Sequence, residues 1–289
     1  MTPTIFVVTS VHNSLSHTKK FLESFSHQTY KNYQITLVDD GSTDGTKDFI
    51  SKTYPTVKIL SGDGTLWWTG GINLCIAYVM KSAKKGDFIL TINNDCVVER
   101  EYIQKIVTTS SKFKKSIIGS LEIEQATGRI HTGYLHVDWS KGIWLNQVDE
   151  VNNIKSCDHL STKGTLFPIE VFQKIGLLDQ DRLPHYGSDF EFTNRARLNS
   201  FNLLLDPACI VYCDHERTGL TRVSRSVGYS EVYKLIWSMK STINVKDQYY
   251  LVKLMCPKKL RPLNYFRLVM KGIYLLSLPV RNFFNLKKT

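Results

Sequence analysis

The sequence predicts an α/β protein: a mainly parallel, Rossmann-like central sheet with helices on both faces, followed by a helical C-terminal extension. Three observations lead there. Strand-like and helix-like segments alternate four times within residues 1–115, the pattern of right-handed βαβ units. Each of those four strands ends in a polar or glycine-rich loop, so the loops gather on the carboxyl edge of the sheet, where open α/β sheets bind ligands. From Ser116 the pattern changes to short strands with turn signals between them, and from residue 227 it is helical and strongly basic. The expected organisation is one domain over 1–226, with halves 1–115 and 116–226, and a basic amphipathic helical region over 227–289.

In chain order, Thr4 to Val11 is an apolar run ending in Thr9-Ser10-Val11-His12-Asn13. Ser14 or Ser16 is placed to cap a helix from Thr18 to His27, whose Phe21, Leu22 and Phe25 share one face. Tyr33 to Asp40 is the second strand, closing in Asp39-Asp40-Gly41-Ser42-Thr43-Asp44. Lys47 to Tyr54 is a short helix and Val57 to Leu60 a third strand. Gly62 to Gly71 reads as a glycine-rich loop, and Ile72 to Ala83 as a helix. Phe88 to Ile92 is a β-favouring run buried on both faces, and it stops at Asn93-Asn94-Asp95. A helix from Glu101 to Phe113 follows. Ile117–Ile123, Arg129–Val137, Ile143–Val148, Ser156–Leu160 and Leu203–Cys213 read as strands. Pro168 suits the first position of a helix ending at Gly176, and Ser188 can cap another helix.

Composition is that of an ordinary globular chain: 289 residues, 42% hydrophobic and 22% charged. The six cysteines include no Cys-x-x-Cys pair, and Met1-Thr-Pro-Thr leads straight into a strand. The expectation is therefore reduced thiols in a cytoplasm, with Cys209 and Cys213 as core residues. The net charge of +11 points to anionic partners: nucleic acid, phosphate-bearing small molecules or an anionic membrane.

The strand ends carry the chemistry. A carboxylate beside amide oxygens, as in Asn93-Asn94-Asp95, is ligand chemistry for a hard cation, Mg²⁺ or Mn²⁺; the same residues also make a plain Asx-rich turn. Asp39-Asp40 suits either a turn with a helix cap or a carboxylate that accepts from a base N–H or a ribose hydroxyl. The glycine-rich loop leads into a helix N-terminus and resembles a phosphate cradle. It is neither a P-loop nor a Gly-x-Gly-x-x-Gly after the first strand, which disfavours kinase-like and dehydrogenase readings. Trp67 and Trp68 are adjacent and cannot both face one apolar side, which leaves one of them to stack on a ring.

Taken together, Thr9-Ser-Val-His-Asn13, Val38-Asp-Asp-Gly-Ser-Thr-Asp44, Gly70-Gly-Ile-Asn73, Asn93-Asn-Asp95 and Gly187-Ser-Asp-Phe-Glu191, in that order, resemble the family 2 glycosyltransferases of GT-A fold. Leu66-Trp-Trp-Thr-Gly-Gly71 is similar to the bacterial rhamnosyltransferase-like subgroup. The resemblance runs from about Thr4 to about His215. It implies an inverting transfer of a sugar from a nucleoside-diphosphate sugar, dTDP-rhamnose or a UDP-hexose, to a saccharide or lipid-linked hydroxyl in cell-surface polysaccharide assembly. It makes 1–115 the nucleotide-binding half and 116–226 the acceptor-binding half. By that resemblance Thr9, Val11, Asn13, Asp40, Gly71, Asn73 and Asn94 contact the nucleotide sugar, while Asp95 and His215 hold the metal. Asn93 stands where the family has its first metal-binding acid, which leaves one anionic ligand.

Asp189 matches the family's base, and inverting displacement requires a base on the face opposite the leaving group. The competing reading makes Glu191 the base and Asp189 a support of the helix end. Trp67, Trp68, Gly164 and Glu191 are candidates for contact with the acceptor or the donor sugar. Arg217, Arg222 and Arg225 form either a solvated loop or a lid clamping the diphosphate.

The segment from Lys258 to Lys288 has no acidic residue and mixes basic with aromatic side chains. It reads either as a helix on an anionic membrane surface, at the inner face of the cell membrane, or as one packed on the enzyme's own core. Two other functions fit parts of the sequence. A nucleotidyltransferase also uses a nucleotide at a sheet edge, but would carry a Gly-rich basic loop after the first strand. A nucleic-acid-binding protein fits the charge, but no RRM, KH or helix-turn-helix signature accompanies it.

Overall fold

The computed structural model describes residues 2–214 and 228–286, with side chains through residue 279. The first half runs β1 (Ile5–Val11), α1 (Leu15–Ser26), β2 (Tyr33–Asp39), α2 (Thr46–Thr53), β3 (Lys58–Ser61), α3 (Trp67–Val79), β4 (Phe88–Thr91), β5 (Cys96–Val98) and α4 (Tyr102–Lys112). Next come β6 (Ser116–Glu124), β7 (Ile130–Thr132), β8 (Tyr134–Asp138), β9 (Ile143–Gln147), β10 (Lys155–Ser156) and β11 (Thr165–Pro168). The chain continues through α5 (Ile169–Ile175), α6 (Ser188–Leu198), β12 (Asn202–Cys213), α7 (Tyr229–Trp237), α8 (Val245–Met255) and α9 (Arg261–Leu286).

The central sheet has the order β10-β12-β6-β11-β4-β1-β2-β3. Its first-half strands β4, β1, β2 and β3 are all parallel neighbours. The second half joins through β11, antiparallel to both β4 and β6, and β6 then pairs in parallel with β12. Side chains alternate across β1: Phe6 and Val8 join α3, α5 and α6 in one core, while Ile5 and Val7 join α1, α2 and α4 in the other. Both faces are therefore covered, and strands between two cores read as unbroken apolar runs rather than alternating ones. The sheet's carboxyl edge brings the ends of β1, β2 and β4 side by side.

Several boundaries move. The α3 helix begins at Trp67, so Trp67 to Gly71 is helix rather than loop. A Cβ on Gly71 would lie 2.2 Å from Ser10 Oγ; this glycine lets α3 close onto β1. The Arg129–Val137 strand is broken at Gly133, where a Cβ would lie 2.2 Å from the Gln147 carbonyl oxygen. Of Ser156–Leu160 only Ser156 pairs, within the two-residue β10. Pro168 takes the N-cap of α5 rather than its first turn, and Gly176 ends that helix with φ of 76°.

The C-terminal region packs on the sheet domain. In α8, Leu251 lies against Gly187 at the start of α6 and shares an apolar cluster with Leu183, Trp139 and Phe190. In α9, Asn264 Nδ2 donates to the Trp139 carbonyl at 2.9 Å and Arg267 Nη2 to the Ser140 carbonyl at 2.7 Å. Those two carbonyls lie just beyond β8, between it and β9. Among the described residues, no helix is long and apolar enough to cross a membrane.

Candidate active site

The site grows from the end of β4. Asn93 Oδ1 is buried with no hydrogen-bond partner among the described residues, so an acceptor oxygen stands ready where such atoms are normally satisfied. Asp95 is half-buried beside it, and Asp214 N donates to the Asp95 carbonyl at 3.1 Å. Asn94 turns away and donates from Nδ2 to Thr18 Oγ1 of α1 at 3.0 Å. An orphaned amide oxygen two residues before a carboxylate is the donor set a hard divalent cation takes.

Cys96 and Cys213 face each other directly in the β5–β12 ladder and are joined by a disulfide, with Cα atoms 4.1 Å apart. This corrects the expectation that all six thiols are reduced. The two partners are 117 residues apart, and only the antiparallel pairing of β5 with β12 reveals them. The bond holds Asp95 beside Asp214. Both sulfurs and an Asp95 oxygen lie within 4.8 Å of one another, but the sulfurs are bonded to each other and are not thiolate ligands. His215, the second expected metal ligand, and the lid candidates Arg217, Arg222 and Arg225 lie outside the described residues.

The loop before α6 closes the other side. Thr69 of α3 donates from its backbone N to the Pro184 carbonyl at 3.1 Å, and its hydroxyl lies 2.8 Å from both the Leu183 carbonyl and Ser188 Oγ. This buried threonine ties the start of α3 to the start of α6. Between them, His185 packs 5.3 Å from the Trp67 ring and 4.3 Å from Tyr186. Burial, reinforced by Lys240, pushes the His185 imidazole down to about 4, and its Nδ1 has no partner among the described residues. Burial and then the nearby Asp95 carboxylate raise the Tyr186 phenol. Tyr186 thus feels the Asp95 charge, and it precedes Asp189 by three residues in the chain. Trp68 packs against the sheet core instead.

The two candidate bases part company. Burial pushes the Asp189 carboxyl up to about 6, against hydrogen bonds from the Phe190 and Thr162 backbone and the charge of Lys163. The Glu191 side chain is 8% exposed and accepts from Arg195 Nε at 2.8 Å and Nη2 at 3.0 Å. Arg195 also donates to the Ile175 and Leu177 carbonyls, so Glu191 is locked into the base of α6. Asp189, poised near neutral pH, is the acid suited to accept a proton.

The remaining candidates are mostly engaged by the protein itself. Asp40 accepts from the backbone N of Gly64 and Leu66, at 2.8 and 3.0 Å, and of Trp67 at 3.2 Å, capping α3. Asn73 is buried, donating to the Leu178 carbonyl and Gln180 Oε1 and accepting from Leu178 N. Asn13, at φ of 47°, accepts from Thr43 N at 2.8 Å and bridges the β1 and β2 loops. Thr9 and Val11 are buried, the Thr9 hydroxyl without a partner among the described residues. Gly164, at φ of 77°, is walled in by Val211, Tyr102 and Ser120. Sequence reasoning missed Thr69, Lys163, His185, Tyr186 and the disulfide. Of these, only His185-Tyr186, directly before Gly187, carried a local signal.

The family model for Glycosyl transferase family 2 matches residues 6–175. An uncharacterized glycosyltransferase of Haemophilus influenzae is 26% identical over 198 residues, covering 66% of this chain and 59% of its own length. The N-acetylglucosaminyl-diphospho-decaprenol L-rhamnosyltransferase of Mycobacterium tuberculosis is 26% identical over 122 residues, 40% of each chain. Among solved structures, GalNAc-T7 with UDP, GalNAc and Mn²⁺ superposes with TM-score 0.60 at 17% identity, covering 95% of this chain and 58% of that one. The mannosyltransferase PcManGT of Pyrobaculum calidifontis, in complex with GDP-Man and Mn²⁺, gives TM-score 0.58 at 10% identity, covering 98% and 74%. This chain thus spans under two thirds of the Haemophilus and GalNAc-T7 chains. The structural likeness is one of fold, the GT-A arrangement. With more than half of its length matched by the family model, the chain belongs to glycosyl transferase family 2.

Proposed function

We propose that this chain transfers a sugar, with inversion, from a nucleoside-diphosphate sugar to a hydroxyl of a saccharide or lipid-linked acceptor in cell-surface polysaccharide assembly. The observation that supports the reading is Asp189 in the first turn of α6, raised by burial to about 6, in a chain whose β4 end carries Asp95 and, unpartnered among the described residues, Asn93 Oδ1. Inverting transfer forms a bond from the acceptor oxygen to the anomeric carbon as the bond to the diphosphate oxygen breaks. Asp189 takes the proton from the attacking hydroxyl. Asp95 and Asn93 would hold a divalent cation, Mg²⁺ or Mn²⁺, which when bound supplies positive charge for the leaving diphosphate. Tyr186 and His185 belong to the loop before α6, which Thr69 ties to the start of α3. The half-exposed Trp67 stands against His185, where a sugar ring can meet it.

The donor is dTDP-rhamnose or a UDP-hexose; the first choice draws support from the Leu66–Gly71 motif and the mycobacterial relative. The workplace is the cytoplasm, at the inner face of the cell membrane, where a lipid-linked acceptor is met. The test is a panel of sugar nucleotides with Mg²⁺ or Mn²⁺, read as nucleoside diphosphate released. One donor is expected to turn over, and Asp95→Ala to lower that turnover by about a hundredfold or more, the scale of removing one stabiliser of the leaving group. Release of pyrophosphate would replace the reading with nucleotidyl transfer. Unchanged turnover in Asp95→Ala would remove the metal assignment.

A further inference from the structure

The excess charge of this protein is confined to its end. Residues 248–289 hold nine lysines and arginines and no acidic residue, so the preceding 247 are left with 28 basic against 26 acidic. The wider C-terminal stretch 228–289, with twelve basic residues against two acidic, exposes apolar side chains in helical register. On α7, Tyr229, Tyr233 and Trp237 are 62%, 66% and 57% exposed at spacings of four. On α9, Phe266, Val269 and Ile273 are 62%, 60% and 54% exposed, spaced three and four apart. These stripes are not the unpacked side of a loose tail, because the inner faces are occupied: Val232 and Ile236 of α7 meet Leu275 of α9. Single exposed hydrophobics are ordinary, but contiguous stripes on two packed helices mark an interaction surface.

We propose that α7 and α9 together form a docking face for an anionic phospholipid surface. Charge complementarity selects the occupant. A second copy of the same face would bring like charges together, whereas lipid headgroups supply the missing negative charge and acyl chains accept Val269 and Ile273. The helices lie on the surface, since no described helix is long and apolar enough to cross it. Docking also orients the reaction site. Asn264 and Arg267 of α9 hold the Trp139 and Ser140 carbonyls. The Trp139 ring lies 5.5 Å from Trp144, which stacks 5.6 Å from Phe190, the neighbour of Asp189. A hydroxyl presented at the membrane is thereby met by a base helix fixed relative to that membrane. The proposal rests on the lipid-linked-acceptor reading for its purpose alone, and its assay contains no sugar nucleotide, so each can fail without the other.

The experiment sediments the full chain with vesicles of phosphatidylglycerol and phosphatidylcholine in equal parts, and with phosphatidylcholine alone, over a salt series. Binding is expected to the anionic vesicles only and to weaken with salt. Lys258→Gln with Lys259→Gln should lower affinity about 30-fold, at about 1 kcal/mol per cation near such a surface. Tyr233→Asp with Trp237→Asp, and separately Phe266→Asp with Ile273→Asp, should each lower it about tenfold or more. These side chains are exposed, and circular dichroism checks that the variants fold. Equal binding to both vesicles, no binding, or indifference to either aromatic or aliphatic pair overturns the two-helix face. A single-stranded oligonucleotide that binds at physiological salt while vesicles do not makes the partner nucleic acid.

Discussion

Replacing Asp189 with asparagine should make the protein inactive and more stable at once. The carboxyl rises from its ordinary 3.8 to about 6 on folding, chiefly by burial. Ionising it in place therefore costs the folded state up to ~3 kcal/mol, at 1.36 kcal/mol per pH unit. The sign follows from proton binding: the folded state binds the proton more tightly. Below about pH 4 both states are protonated and there is no penalty; it accumulates as pH rises to about 6 and is complete above. The asparagine amide carries no charge and keeps an oxygen for the Phe190 N–H. Asp189→Asn should thus raise Tm by about 6 °C at pH 8, at ~2 °C per kcal/mol for a chain this long, and leave it nearly unchanged at about pH 4. Turnover should fall by about 10²–10⁴, the usual worth of a general base, and wild-type kcat/KM should rise with pH through about 6. Calorimetry at the two pH values and diphosphate release measure both. Wild-type turnover in Asp189→Asn, or a Tm difference that does not grow with pH, refutes the reasoning.

Two further substitutions separate packing from chemistry. Gly71→Ala drives a methyl to 2.2 Å from Ser10 Oγ and 2.7 Å from its Cβ; chemical denaturation should show a loss of about 1–3 kcal/mol, partly regained by adding Ser10→Gly. A loss that Ser10→Gly leaves untouched would mean that Gly71 serves something other than closure of α3 on β1. Glu191→Gln leaves Arg195 without its carboxylate inside the fold and should destabilise by about 3–5 kcal/mol. The kcat of the folded protein should nevertheless stay at the wild-type level; a collapse of kcat would move the base from Asp189 to Glu191.

The parallel half of the sheet was legible because buried strands and amphipathic helices write different periods into the sequence. Phe88–Ile92 and Phe21-Leu22-Phe25 are examples, and their elements lie where the pattern puts them. The start of α3 was not legible. Gly70 and Gly71 read as loop by propensity, yet Asp40 at the helix N-terminus and the tight fit of Gly71 on Ser10 override that preference. Thr69, Lys163 and the Cys96–Cys213 pair were invisible for a different reason. Their partners are far away in sequence, and no local pattern records a contact made only when β12 returns to β5.

The motif residues teach a related point about sites. Asp40 and Asn73 sit in motifs at the sheet edge, and the structure shows each held by several internal bonds. A strand-end motif is thus first a device for building the edge, and only the atoms left over face a ligand. At β4 the leftover atom is Asn93 Oδ1, which on the proposed reading would be a neutral ligand in place of a charged one. With one fewer negative charge, Asp95 and Asn93 would hold a divalent cation less tightly on their own than with a diphosphate present. On that reading metal and nucleotide-sugar binding should be coupled, each raising the other's affinity by the same factor, and titrating the metal with and without nucleotide measures it.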